Sequence, residues 1–344
     1  MTTHPRHPES LSNAANPVPS RVPADRHIEA AARLLPAPPH QREQIARQFL
    51  AGARAAGYDL SNMWCTTDPA DTKSRIREAC LAIEGPGKTA MCFLSGPESG
   101  ETDDGRDAER GLCLRSMVDH LDPARISLAQ ALPELHESWA VRAYEHARFT
   151  HAGDLSYMEL ELQSRRRKQP PHPSKPISWP AGIETRSVRD PYTNDRDNLL
   201  RVLESSYIDT LDCPELCGLR ATDDVLESHL STGAFDPSLW TLAFEGETPI
   251  GCSLVSPIPE NGSAELVYIG LSPSGRGRGL GRALLEHSIT QLQQHRIERL
   301  VCAVDRRNQP AVRLYESLGF QVFSARSAWV HPVRATSTHV GESV

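Results

Sequence analysis

Between an apolar run at residues 264–271 and a helical pattern carrying Leu280, Leu284, Leu285, Ile289 and Leu292 lies Arg276-Gly277-Arg278-Gly279-Leu280-Gly281. At such a junction several main-chain N–H groups can point at one anion. Glycines there leave no side chain to keep a diphosphate from the backbone. A flexible Gly/Arg loop has the same composition, so the flanking elements must decide. The dinucleotide fingerprint G-x-G-x-x-G does not align to these glycines, which argues against NAD or FAD. A second segment, Gly85-Pro86-Gly87-Lys88-Thr89, ends like a nucleotide phosphate loop. Ala82 stands where the first glycine is required, and the segment runs into a strand at 91–94 where a helix is needed. A nucleotide site using Lys88 and Thr89 is therefore the weakest reading.

The spacing Arg276-x-x-Gly279-x-Gly281, followed by Asn308 and by Tyr315-x-x-x-Gly319-Phe320, resembles the GNAT N-acetyltransferase superfamily. The resemblance covers residues 183 to about 333 and is most specific over 264–320. It implies a mixed sheet whose two central strands splay apart, with acetyl-CoA entering the gap as co-substrate and no metal. It further implies that Arg276, Gly277, Arg278, Gly279, Leu280, Gly281 and Arg282 cradle the diphosphate. The backbone of Ile269, Gly270 and Leu271 would pair with the pantetheine arm. Asn308 matches a cofactor-contacting position, and it equally suits a helix N-cap.

Acetyl transfer to an amine requires two proton transfers. A lysine-like amine, with a pKa of about 10, must lose a proton, and the departing thiolate must gain one. By the resemblance Tyr315 is the acid, although its spacing also suits a core aromatic on an amphipathic helix. Glu265 is the base, in an Ala264-Glu265 placement similar to that of histone-acetyltransferase-type members; a surface-facing strand residue is its plainer reading. Members that acetylate ribosomal-protein N-termini carry a glutamate on the following strand, where this chain has Ala303. That departure speaks against a ribosomal protein as acceptor.

The elements that must position these residues follow the order β-α-α-β-β-β-α-β-α-β downstream of a proline-rich stretch at 163–180. Upstream the pattern partly recurs: helices at 41–56 and 69–83, a strand at 88–95, a helix at 112–121, a strand at 126–131, a helix at 139–147 and a strand at 154–162. Ala140-Val141-Arg142-Ala143-Tyr144-Glu145 resembles Ala311-Val312-Arg313-Leu314-Tyr315-Glu316, and Arg110-Gly111-Leu112 is set against Arg278-Gly279-Leu280. This reads as a diverged internal duplication. In the upstream copy one loop glycine is replaced by Cys113, and Asp103, Asp104, Asp107 and Glu109 lie nearby, which opposes anion binding. The expected fold is α/β with a mixed sheet in tandem GNAT-like domains, the C-terminal one complete, a layout similar to that of the mycothiol synthase family. The expected boundaries are a disordered tail at 1–26, a degenerate copy at 27–162, a linker at 163–182, the acetyltransferase domain at 183–335 and a tail at 336–344.

Composition narrows the partners. The net charge of −7 argues against nucleic acid, and no apolar run reaches the ~18–20 residues of a membrane span. The basic run Arg165-Arg166-Arg167-Lys168 sits among prolines and reads as solvated linker. The eight cysteines are scattered; only Cys213 and Cys217 are close, and no zinc pattern forms. The acceptor-side segment between the first two downstream helices carries Asp209, Asp212 and Glu215, which suit either a solvated loop or recognition of a cationic amine. The sequence thus points to a cytoplasmic N-acetyltransferase acting on a primary amine, in a small molecule or a peptide. The competing reading is a non-catalytic acyl-CoA-binding sensor or interaction module.

Overall fold

The structure, a computed structural model, describes residues 17–67, 75–98, 104–162 and 176–334. In the first half β1 (Ser20–Arg21) is followed by α1 (His27–Leu34), α2 (Arg42–Ala55), β2 (Met63–Thr67), β3 (Ile76–Gly85) and β4 (Thr89–Leu94). Then come α3 (Asp104–Val118), β5 (Leu128–Ala131), α4 (Ser138–His146) and β6 (Thr150–Glu161). The second half runs β7 (Ile183–Ser187), α5 (Arg196–Tyr207), α6 (Thr222–Leu230), β8 (Trp240–Glu245), β9 (Thr248–Ile258) and β10 (Ser263–Leu271). It ends with α7 (Leu280–Gln294), β11 (Arg299–Asp305), α8 (Gln309–Ser317) and β12 (Gln321–Pro332). The order β4-α3-β5-α4-β6 thus repeats as β10-α7-β11-α8-β12.

Among the described residues the twelve strands form one sheet in the order β1-β2-β3-β4-β5-β12-β6-β11-β10-β9-β8-β7. The halves exchange strands at its centre. β6 of the first half pairs antiparallel with β11, and β12 of the second half pairs antiparallel with β5. The two exchanged strands pair with each other from Thr150/Val330 to Glu159/Gln321. Side-chain burial explains the arrangement. Met158 and Leu160 of β6 enter the core of the second half, beside Leu285, Leu300 and Tyr315. Trp329 of β12 enters the core of the first, beside Tyr144 and Phe149. The second half's sheet is completed by a strand that precedes it in sequence.

In both halves one parallel pair opens after three residue pairs. β4 and β5 pair from Thr89/Leu128 to Met91/Gln130, and β10 and β11 from Ser263/Arg299 to Glu265/Val301. Beyond those points the strands diverge and leave a gap.

Three expectations are corrected. The helix expected at 69–83 is instead strand β3 from Ile76. Its Ala, Glu and Leu favour a helix locally, but it lies between β2 and β4 and is buried on both faces, so tertiary context overrides propensity. The tail expected to run to Arg26 is ordered before that point: Ser20–Arg21 pairs with β2, and Val22 is buried. Arg110-Gly111-Leu112-Cys113 is no loop. It lies inside α3, where the buried Arg110 bonds the Glu78 carboxylate at 3.1 Å and Asp107 at 2.7 Å. The segment preceding α3, including Asp103, the basic run at 165–168 and the tail at 336–344 lie outside the described residues.

Candidate active site

The bulge at Val267 in β10, where the register against β9 shifts between Leu266 and Tyr268, re-aims the strand at the gap. β11 leaves the other edge of β10 after Glu265, so that edge of residues 267–270 faces the gap. A turn at Pro273–Gly275 leads to Gly277 and Gly279, whose φ of +72° and +83° put both in the left-handed region that suits glycine. Gly279 caps α7, and the first-turn amides of a helix have no intrahelical acceptor. The cavity reaches Gly277 and Gly281 at this helix start, where first-turn amides and the positive end of a helix favour an anion.

A cavity of about 540 Å³ joins this cradle to the gap. Its walls include Ile269, Gly270, Leu271, Arg276, Gly277, Gly281, Asn308 and Tyr315. Tyr315 is 4 % exposed, and its ring packs 5.4 Å from that of Phe320. Burial, helped by the neighbouring Cys302 and Asp212, pushes its phenol well up, so it stays protonated across the physiological range. Asn308 caps α8, its Oδ1 accepting the Ala311 N–H at 3.3 Å. Glu265 lies at the mouth of the splay beside Val301, and burial pushes its carboxyl up.

Leu280, Arg278 and Arg282 lie around the cavity rather than in its walls, whereas Arg276 is in the wall. Leu280 is buried with Ile250 and Leu284. Arg278 pairs with Glu245 at 2.9 Å, and Arg282 donates to Ser317 Oγ at 2.5 Å. Arg276 donates to the carbonyls of Leu271, Ser206 and Asp209 at 3.2, 2.8 and 3.3 Å, tying the loop to the end of α5. The guanidinium groups are thus engaged within the protein.

Comparison with known proteins decides the kind of domain. The profile of the acetyltransferase (GNAT) family matches residues 206–320. Residues 206–320 form a GNAT-family domain. A mycothiol acetyltransferase of Beutenbergia cavernae is 34% identical over 87 residues, 25% of this chain and 29% of that protein. Another, of Geodermatophilus obscurus, is 26% identical over 214 residues, 59% of this chain and 67% of that protein. The matched segments therefore span from under a third to two thirds of these relatives. A GCN5-related N-acetyltransferase from Sphaerobacter thermophilus has the same fold along nearly its whole length, with a TM-score of 0.57, 20% identity and coverage of 95% and 98% of the two chains.

Of the acidic loop residues named from the sequence, Asp209 and Asp212 line the cavity itself. Enclosure in the pocket, aided by the charge of Asp305, pushes the Asp212 carboxyl up, although it accepts the Asp305 N–H at 2.8 Å. Tyr157, from β6 of the first half, is the cross-strand neighbour of the exposed Ala303. This placement has no local signal, since it depends on distant chain. The Gly85–Thr89 segment is a tight turn from β3 into β4 that is held by Arg220, just before α6, which donates to the Gly87 carbonyl at 3.0 Å, and by Ser228 of α6, which donates to that of Pro86 at 3.2 Å. Among the described residues no helix is long and apolar enough to cross a membrane.

Proposed function

We propose that the GNAT domain transfers the acetyl group of acetyl-CoA directly to a primary amine. The observation that carries the reading is the single cavity linking the glycine cradle, the open edge of β10 and the buried phenol of Tyr315. Acetyl-CoA, when bound, supplies an activated acyl thioester. The residues present fit it. Main-chain amides around Gly277–Gly281 hold the diphosphate, where positive φ at Gly277 and Gly279 leaves the approach free of Cβ atoms. The open edge of β10 at Ile269 and Gly270 aligns the pantetheine arm as an added strand would be aligned.

Glu265 takes the proton of the incoming ammonium through a water, since its side chain is absent from the cavity wall. Its raised pKa brings it closer to the operating pH, as general-base catalysis favours. Tyr315 gives its proton to the departing sulfur. Asp209 and Asp212 favour a cationic acceptor at the mouth. The relatives named mycothiol acetyltransferase favour a small molecule over a protein as acceptor. The eight free cysteines suit a reducing compartment, and we place the protein in the cytoplasm.

The test is release of CoA from acetyl-CoA in the presence of tyramine, glucosamine or spermidine, compared between wild type and Tyr315→Phe. Turnover that depends on both the amine and Tyr315 is expected. Binding of acetyl-CoA without Tyr315-dependent turnover would instead identify a sensor.

A further inference from the structure

At the turn from β11 into α8, the guanidinium of Arg307 joins three parts of the molecule. It grips Glu215 of the α5–α6 loop in a two-pronged pair, Nη1 to Oε1 at 2.7 Å and Nη2 to Oε2 at 2.8 Å. It bonds Asp305 through Nε at 3.0 and 3.1 Å and Nη2 at 2.7 Å. It donates to the carbonyl of Ala152 at 2.6 Å, and Ala152 belongs to β6, the strand supplied by the first half. Asp305, fully buried, passes the connection on. Its Oδ2 accepts the N–H of Cys213 at 3.0 Å, while its own N–H bonds the Asp212 carboxylate at 2.8 Å. Cys213 takes a left-handed φ of +44°, a conformation that persists in a non-glycine residue only when surrounding bonds hold it.

The charges agree with a tight assembly. Arg307 holds the Glu215 carboxyl below its usual range. Burial works against ionisation of Asp305, yet hydrogen bonds from Arg307 and from the amides of Arg307 and Cys213 still hold it low. Room for the guanidinium exists because position 153 is glycine: an added Cβ there would lie 2.7 Å from Asp305 Oδ2 and 2.9 Å from Arg307 Nη2.

The loop so fastened is the one whose Asp209, Thr210, Leu211 and Asp212 line the cavity. We infer that Arg307 is a positioning residue which latches this acceptor-side loop onto the GNAT domain, and that the first half takes part in the latch through β6. Arg307 itself is absent from the cavity wall and acts through Asp305, Asp212 and Glu215. The kinetic part of this inference rests on the transfer reading above; the latch itself does not. A planar, two-pronged guanidinium is required, because an ammonium cannot make the parallel pair to Glu215 and reach both other acceptors.

The test uses the full chain carrying Arg307→Met, Arg307→Lys, or the milder Glu215→Gln. Hydrogen exchange of the amides at 211–217 reads the latch directly. We expect exchange there to rise at least about tenfold in Arg307→Met and less in Arg307→Lys and Glu215→Gln, with amides of β10 and α7 unchanged. With whichever of tyramine, glucosamine or spermidine the wild type acetylates, KM for the amine should rise about tenfold in Arg307→Met while kcat and the acetyl-CoA Kd stay within about threefold, since misplacement of a positioning loop acts on acceptor alignment. Unchanged loop exchange overturns the latch. A parallel rise of amine KM and acetyl-CoA Kd shows general loosening and overturns the positioning role. A wild type that acetylates none of the three amines counts against the transfer reading, and the exchange result then decides the latch by itself.

Discussion

The two halves share one plan and differ where chemistry is carried. Both open a parallel strand pair after three residue pairs, and both leave a cavity there, about 540 Å³ in the second half and about 420 Å³ in the first. Each keeps a buried tyrosine on the following helix, Tyr315 and Tyr144. The third strand pair places Glu265 in one half and Met91 in the other. The second half also has the bulge at Val267, which β4 lacks among its described pairs. Walls of Phe49, Met91, Phe93 and Trp139 make the first cavity largely apolar, and its Arg33 and Arg42 are bound to Glu78 and Glu98. The two halves thus share a fold but not the side chains around the splay, and β6 remains the neighbour that completes the second half's sheet.

The strongest break in this comparison is expected at the paired tyrosines. Tyr315→Phe should lower kcat by about 10²–10⁴-fold, the usual contribution of a positioned acid, while Tyr144→Phe should leave CoA release within about twofold. The exchanged strands come next. Trp329→Ala removes a large side chain from the first half's core although it lies in the second half's sequence, and should cost about 3–5 kcal/mol in denaturant unfolding. Because the sheet is continuous, tryptophan fluorescence and amide exchange should report both halves melting together. Separate transitions would show that the strand exchange does not couple them.

Glu265→Gln should slow transfer by about 10²-fold and remove the acidic limb of the pH profile. The sign follows from the raised carboxyl: wild-type activity needs the ionised form, so the rate falls as pH drops through a pKa above the ordinary glutamate value. A profile that still falls on the acid side in Glu265→Gln, and flattens in Asp212→Asn, would move the base to the acceptor loop. The smallest effect is expected at the cradle. Gly279→Ala forces a Cβ into a left-handed conformation and should weaken acetyl-CoA binding by about five- to thirtyfold, matching a cost of about 1–2 kcal/mol.

The second half was the more legible, because each of its elements carries its own signal: strong apolar runs, a glycine break, and a helix closed by Gly319. The first half misled at residues 76–83, where Ala, Glu and Leu name a helix and only burial between two strands makes a sheet. It misled again at Arg110, where an Arg-Gly-Leu triplet suggested a loop, although the buried carboxylates of Glu78 and Asp107 hold that arginine inside α3. Strand exchange left no trace in the sequence, since β6 and β12 would show the same patterning whichever neighbours they paired with. Arg307 was hidden for a related reason: Glu215 lies about ninety residues away, and Ala152 across the halves.

Calorimetric titration of the full chain with acetyl-CoA tests most directly whether only the second half kept its site. One molecule should bind per chain, with affinity weakened by Gly279→Ala and unaffected by Met91→Ala. Two equivalents per chain, affinity indifferent to Gly279, or no binding at millimolar acetyl-CoA would contradict the assignment.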